Sequence, residues 1–239
     1  MEEYINNDEY IAQEKKDGER RLVISGERII GLNKKGTQVP LPDSIINSIL
    51  GGECILDGEI IGDKLFAFDI ISTEETKSMT CIERLALLNV MTFGLGIEVV
   101  ETAYTTEQKR DLYNRLKAEN KEGIVFKKKN SPYTPGRPNS GGNQLKFKFY
   151  KTATFIVSNI TKGKRSVGME LLEGDERIFM GKVTISPNFD IPHIGELIEV
   201  RYLYAYRGGA VFQPTYLGKR PDSDLTDCTM VQLVYKENT

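Results

Sequence analysis

Apolar and polar positions alternate with a period of two along several stretches of this chain, and that pattern predicts strands. ERRLVISGERIIGLNKKG (19–36) holds two, joined as a hairpin by Ser-Gly-Glu. ECILDGEIIGDKLFAFDII (53–71) holds two more, turning at Gly62-Asp63. EGIVFKKK (122–129) and LKFKFYK (145–151) each read as a strand. Helical spacing of apolar positions marks CIERLALLNVM (81–91) and TTEQKRDLYNRLKAEN (105–120), where Thr105 and Gln108 have the separation of a capping box. The Pro/Gly/Ser/Asn-rich NSPYTPGRPNSGGNQ (130–144) reads as a long loop, and loops of that length are usually functional or mobile.

The texture changes near residues 150–152. TATFIVSNITKGK, GMELLEGDERIFMGKVTI, GELIEVRYLYAY and AVFQPTYLGK read as short strands with turn signals between them. A run of about 90 residues with no long helical pattern predicts a small Greek-key barrel. The expected organisation is α+β, with a first domain over 1–150 and a β domain over 151–239. The closing DSDLTDCTMVQLVYKENT fits a short helix or a final strand equally well.

Composition narrows the chemistry. The 239 residues contain a single histidine, His193, in a predicted loop, so a histidine-rich metal site is excluded. Catalysis, if present, runs on lysine, carboxylate and metal. Cys54, Cys81 and Cys228 are few, odd in number and far apart, which suits idle thiols in a reducing cytoplasm. The acidic start MEEYINNDEY is unlike a secretory signal, and no apolar run is long enough for a membrane helix. Net charge is −2, yet residues 121–151 carry seven lysines and one arginine against the single acid Glu122. Charge alone leaves a phosphate-bearing ligand and a solvated strand edge equally open.

Five stretches then matter together: KKDGER (15–20), LDGEI (56–60), FAFDI (66–70), EGIVFKK (122–128) and LKFKF (145–149). In this order they resemble the signature of the covalent lysyl-nucleotidyltransferases: ATP-dependent DNA ligases, RNA ligases and mRNA capping enzymes. The resemblance spans nearly the whole chain and is nearest to compact phage and bacterial DNA ligases. It implies an ATP-grasp-like adenylation domain of antiparallel sheets with helices, followed by an OB-fold β-barrel.

The family pattern Lys-x-Asp-Gly-x-Arg selects Lys15, Asp17, Gly18 and Arg20, and makes Lys16 a solvated neighbour. Lys15 would attack the α-phosphate of ATP and form a lysyl-AMP phosphoramidate. An amine must be neutral to attack, and a free lysine near neutral pH is so in only about one case in a thousand, a cost of roughly 4 kcal/mol. Nearby cations and partial burial remove part of that cost. Lys146 and Lys148, at i and i+2 of a strand, share one face and would grip the phosphate. The resemblance further implies that Glu122 and Glu59 hold Mg²⁺ or Mn²⁺, that Glu59 binds the ribose, and that Phe68 stacks on adenine. Arg20, Lys34, Lys127 and Arg137 are the candidates for nucleic-acid contact, Arg20 also for the nucleotide and Lys127 also for a phosphate.

Two departures from the family pattern stand out. The hairpin position that many DNA ligases fill with arginine is Lys34, in LNKKG, a point charge in place of a fork. The closing Arg-x-Asp-Lys, which orients pyrophosphate in the family, is here Arg220, Asp222 and Ser223. The nucleophile motif also arrives after only 14 residues, so duplex grip is expected from the two core domains. The expected partner is nicked duplex DNA bound by a monomer with no membrane association. RNA-containing nicks, capping guanylyl transfer and a silent OB-fold binder are the alternatives.

Overall fold

Strands dominate the computed structural model, which describes residues 1–71, 78–135 and 142–236. The chain divides into two units, Met1–Lys148 and a second beginning at Phe149. The first runs α1 (Glu2–Ile5), β1 (Tyr10–Glu14), β2 (Glu19–Ser25), β3 (Ile30–Asn33), β4 (Gln38–Val39), α2 (Asp43–Ile46), β5 (Cys54–Ile61) and β6 (Lys64–Ile70). It continues with α3 (Cys81–Val90), β7 (Ile97–Val99), β8 (Thr102–Ala103), α4 (Thr106–Ala118), β9 (Gly123–Lys128) and β10 (Gln144–Lys148). One sheet has the order β10-β9-β1-β8 and is antiparallel throughout. The other has the order β4-β3-β2-β5-β6-β7, antiparallel except where β7 joins β6.

Both expected helices form. The Thr105–Gln108 capping box closes α4, with Gln108 N–H donating to Thr105 Oγ1 at 3.2 Å. Thr80 and Glu83 make a second box on α3. Periodicity does not reveal β1, nor the short β4, β7 and β8. Ile11, Ala12 and Gln13 are buried in succession, so no alternation marks them. Behind the sheet, Phe126 and Phe147 pack with Tyr4 of α1 at 5.6–5.8 Å between ring centroids. Lys109 of α4 is fully buried and donates to the carbonyls of Tyr4, Asn7 and Tyr10 at 3.3, 2.7 and 3.1 Å. That ammonium ties the N-terminal segment down and sets the entry of β1, the strand that leads into Lys15.

Two glycines of the motifs have a steric reason. A Cβ on Gly18 would lie 2.3 Å from Ile60 O, and one on Gly123 would lie 2.0 Å from Phe147 O. Strands approach too closely at both points for any side chain.

The second unit contains β11 (Lys151–Ile160), β12 (Ser166–Glu173), β13 (Glu176–Thr184), β14 (Leu197–Tyr202) and β15 (Thr215–Lys219), in the order β13-β12-β11-β14-β15. Its core is built on Phe155, Val157, Met169, Ile198 and Val200. The sequence pattern predicts a closed barrel; among the described residues no ladder joins β13 to β15. Pro214 has no N–H to donate and β15 is only five residues long. From that side, Val211 N–H reaches Met180 O at 3.2 Å. The closing stretch resolves into two 3₁₀ turns, Leu225–Asp227 and Met230–Gln232. No described helix is long and apolar enough to cross a membrane.

Lys109→Met removes the donor from three carbonyls and should lower unfolding stability by about 1–3 kcal/mol. Urea denaturation measures it; an unchanged midpoint would show that the ammonium clamp contributes nothing.

Candidate active site

Sheet register gathers the lysines. Across β1, β9 and β10 the rows read Ile11, Lys127, Gln144 and then Gln13, Val125, Lys146. The next row on that face pairs Gly123 with Lys148, and Lys15 N–H donates to Gly123 O at 2.9 Å. Side chains two residues apart on a strand share a face. Gln13, Lys15, Lys127, Lys146 and Lys148 therefore stand on one side of the sheet, opposite the aromatic cluster.

Glu122, just ahead of β9, anchors this face. Its side chain is 4% exposed and accepts from both Lys15 Nζ and, at 2.7 Å, Lys148 Nζ. A buried carboxylate without a cation is costly. Here two cations share it, and the cluster keeps a net positive charge. An ammonium bonded to a carboxylate has no lone pair to offer, so Lys15 must part from Glu122 or transfer its proton before it can attack anything.

The six-stranded sheet supplies the opposite wall. Arg20 pairs in register with Glu59, and Leu22 with Asp57. The β5/β6 ladder slips between Asp57 and Gly58, so that Asp57 faces Asp69 and Gly58 faces Ala67. Phe68 is the extra residue of that bulge, a device that re-aims side chains. Its ring turns to the cleft, with Lys127 Nζ 5.0 Å from the ring centre. Asp69, beside it, is fully buried and held by Arg84 through two bonds of 2.8 and 3.1 Å. Arg20 is fixed in the same way, by two bonds of 2.9 and 2.7 Å to Asp57. Tyr133 hydroxyl joins that pair, 3.2 Å from Asp57 and 3.3 Å from Arg20. Sequence reasoning missed Arg84 and Tyr133 entirely.

A cleft lies between the walls, lined by Gln13, Lys15, Lys16, Arg20, Glu59, Phe68, Lys127 and Lys146 among others. Burial in the cleft, together with the positive charges of Arg20 and Lys15, pushes the Lys146 amine below the ordinary lysine range. Burial raises the Glu59 carboxyl, and Glu122 adds to the rise, while Lys15 opposes it. Burial and Asp57 push the Tyr133 hydroxyl up to about 12, so it stays protonated.

Two expectations change. Lys16 is not a solvated neighbour: it pairs with Glu14 at 2.6 Å, lies 4.5 Å over the Phe66 ring and lines the cleft. Lys127 is not placed to meet a duplex: it is 3% exposed and donates to Phe68 O at 2.6 Å. Lys34 is exposed in the turn between β3 and β4. Arg137 lies outside the described residues. Arg220 and Asp222, in the second unit, pair with each other at 3.0 and 3.1 Å, and Arg220 also reaches Glu199 at 3.1 Å. Lys219 pairs with Glu196 at 2.8 Å.

No protein-family model and no curated protein matches the chain by sequence. Solved structures do. A chain named Pmar-Lig superposes with a TM-score of 0.71 at 17% identity, over 89% of this chain and 63% of that one. A structure from a study of Lig E DNA ligases, described as binding DNA with a minimal scaffold, gives 0.68 at 17% identity, covering 90% of this chain and 94% of that one. The chain has a DNA ligase fold. A mycobacterial DNA ligase D complexed with ATP gives 0.53 at 18% identity, covering 92% of each chain. Identities this low speak for the ligase fold alone.

Glu59 generates a stability prediction. A carboxyl raised in the folded state binds its proton more tightly there than in the unfolded chain. Its contribution favours folding at low pH and is lost as pH rises through the raised value. Glu59→Gln should therefore raise the melting temperature near pH 7, with the gain vanishing below about pH 4. A gain that grows on acidification would contradict the burial argument.

Proposed function

We propose that this chain is an ATP-dependent DNA ligase that seals 5′-phosphate/3′-hydroxyl nicks through a lysyl-AMP intermediate. The observation that carries the reading is the convergence of all five motif stretches on one cleft, with Lys15 beside Glu122, Lys146 and Lys148. The fold neighbours support it, since they are named as DNA ligases and one holds ATP. On this reading residues 1–150 are an ATP-grasp-like adenylation domain. The second, 151–239, is an OB-fold domain.

Lys15 Nζ attacks the α-phosphorus of ATP. A P–N bond forms, the P–O bond to pyrophosphate breaks, and the amine gives up its proton, for which Glu122 is the bonded acceptor. Lys146 and Lys148 meet the charge that develops on the phosphate oxygens. Phe68 offers its face to the base. Arg20 spends Nε and Nη2 on Asp57 and Tyr133, and its Nη1 end is the part offered to phosphate. AMP then passes to the 5′-phosphate of the nick, and attack by the 3′-hydroxyl releases it.

Glu122 and Glu59 fit Mg²⁺ or Mn²⁺. They are hard oxygen donors whose like charges help to raise Glu59. No cluster of three metal-ligating side chains exists among the described residues, which suits an ion that takes one or two carboxylates and completes its shell with phosphate and water. When bound, such an ion neutralises triphosphate charge. Lys34 and Arg137 are the proposed duplex contacts, Arg220 and Asp222 the proposed pyrophosphate-orienting pair, and the working state is a monomer on nicked duplex DNA in a cytoplasm.

Lys15→Ala should abolish covalent AMP attachment and still fold, because Lys148 continues to neutralise Glu122. Lys16→Ala should keep most of the label. Intact-mass spectrometry after ATP and magnesium reads both; equal loss would contradict the assigned register. Sealing of nicked DNA should also fall steeply with salt, because backbone phosphates supply most of the affinity. A flat salt response, or faster sealing of nicked RNA than of nicked DNA in the same panel, would overturn the duplex DNA reading.

A further inference from the structure

Tyr133 ties the two walls of the cleft together from a position outside the five motif stretches. It stands on the chain that leaves β9, a strand of the wall that carries Lys146. Its hydroxyl reaches the other wall, where Arg20 of β2 and Asp57 of β5 are paired. The segment that carries it is seated on Arg84 of α3, a buried side chain that donates to Ser131 O at 3.3 Å and to Met79 O at 2.8 Å. Arg84 Cζ lies 5.7 Å from the centre of the Tyr133 ring, and Ser131 Oγ donates to Lys128 O at 2.7 Å. The ring therefore rests on a fixed floor.

The direction of its hydrogen bonds is determined. An arginine only donates and a carboxylate only accepts. The hydroxyl therefore gives its single proton to Asp57 Oδ2, at 3.2 Å, and takes an N–H from Arg20 Nη2, at 3.3 Å. Burial and Asp57 hold the phenol at about 12, so it keeps that proton near neutral pH. Asp57 grips Arg20 along one edge, through Nε and Nη2. A grip on one edge sets the distance but lets the guanidinium rock against the carboxylate. The hydroxyl on Nη2, supplied by a different element, is the third point that stops it. The Arg20 side chain is 33% exposed and lines the same cleft as Lys15 and Lys146.

We propose that Tyr133 is a positioning residue that aims the Nη1 end of Arg20 into the nucleotide cleft. It acts through Arg20 and not by contact with the ligand. A guanidinium is a planar fork, so its value to a ligand depends on angle as well as distance. Fixing that angle before the ligand arrives removes an ordering cost from binding. The same contact links the aim of Arg20 to the seating of the chain between β9 and β10 on Arg84. The inference rests on the proposed binding of ATP in this cleft and names what presets one of its cations.

The test measures label transfer from ATP, by intact mass over time, for the wild-type protein, Tyr133→Phe, Arg20→Lys and the double variant. Phenylalanine keeps the ring on Arg84 and removes only the hydroxyl. Tyr133→Phe should raise KM for ATP about fivefold and leave kcat within about twofold, the signature of one lost contribution to binding. Adding Tyr133→Phe to Arg20→Lys should raise KM no further, because the group it aims is gone. Thermal shifts with ADP read binding without chemistry. They should be smaller in Tyr133→Phe than in the wild type, and equal in Arg20→Lys and the double variant. An unchanged KM in Tyr133→Phe, a fall confined to kcat, or a further rise of KM in the double variant overturns the proposal, while label on the wild type leaves AMP transfer standing. No label on the wild type overturns the transfer reading itself. The ADP shifts then still judge the positioning, and equal shifts in the wild type and Tyr133→Phe overturn it.

Discussion

One carboxylate holds this site together. Glu122 is almost wholly buried, and a lone charge in that position would cost several kcal/mol. Lys15 and Lys148 prevent that, one from the chain just beyond β1 and the other from β10, which flank β9 on either side. Neither lysine is free to wander into solvent while Glu122 needs it. The same bonds keep the amine in check. On the proposed function, a triphosphate entering the cleft would offer both lysines new anionic oxygens, and the Lys15–Glu122 pair would then be exchanged for chemistry.

Around that centre, several groups that line the cleft are each locked by a partner: Arg20 by Asp57 and Tyr133, Lys127 by the Phe68 carbonyl, and Gln13 by Thr102. Preset geometry of this kind avoids reorganisation during reaction. It carries a stability cost, visible in the raised Glu59 carboxyl and the lowered Lys146 amine. Each is a group whose charged form the fold disfavours.

The amino-acid sequence displays the motif residues and most of the strands, because alternation and motif spacing are local properties. It conceals whatever depends on pairing between distant strands. β1 escapes because three successive buried residues erase its period. The bulge that aims Phe68 exists only as a slip against β5. Lys16 reads as solvated in a run of charges, yet Glu14 and Phe66 enclose it. Lys127 reads as part of a basic strip, yet its row in the sheet turns it inward. The predicted barrel of the second unit is an open order of strands among the described residues, since a short strand after a proline ends the ladder. Tyr133, inside the long loop, had one usable signal: an aromatic flanked by prolines in a segment otherwise built for turns.

The central claim concerns one nitrogen, and the most direct measurement is peptide mapping by tandem mass spectrometry after incubation with ATP and magnesium. The account predicts an AMP adduct on the peptide containing Lys15, with fragment ions that assign it to that side chain and to no other lysine lining the cleft. An adduct on Lys16, Lys146 or Lys148, or a protein that stays unmodified under those conditions, would contradict it.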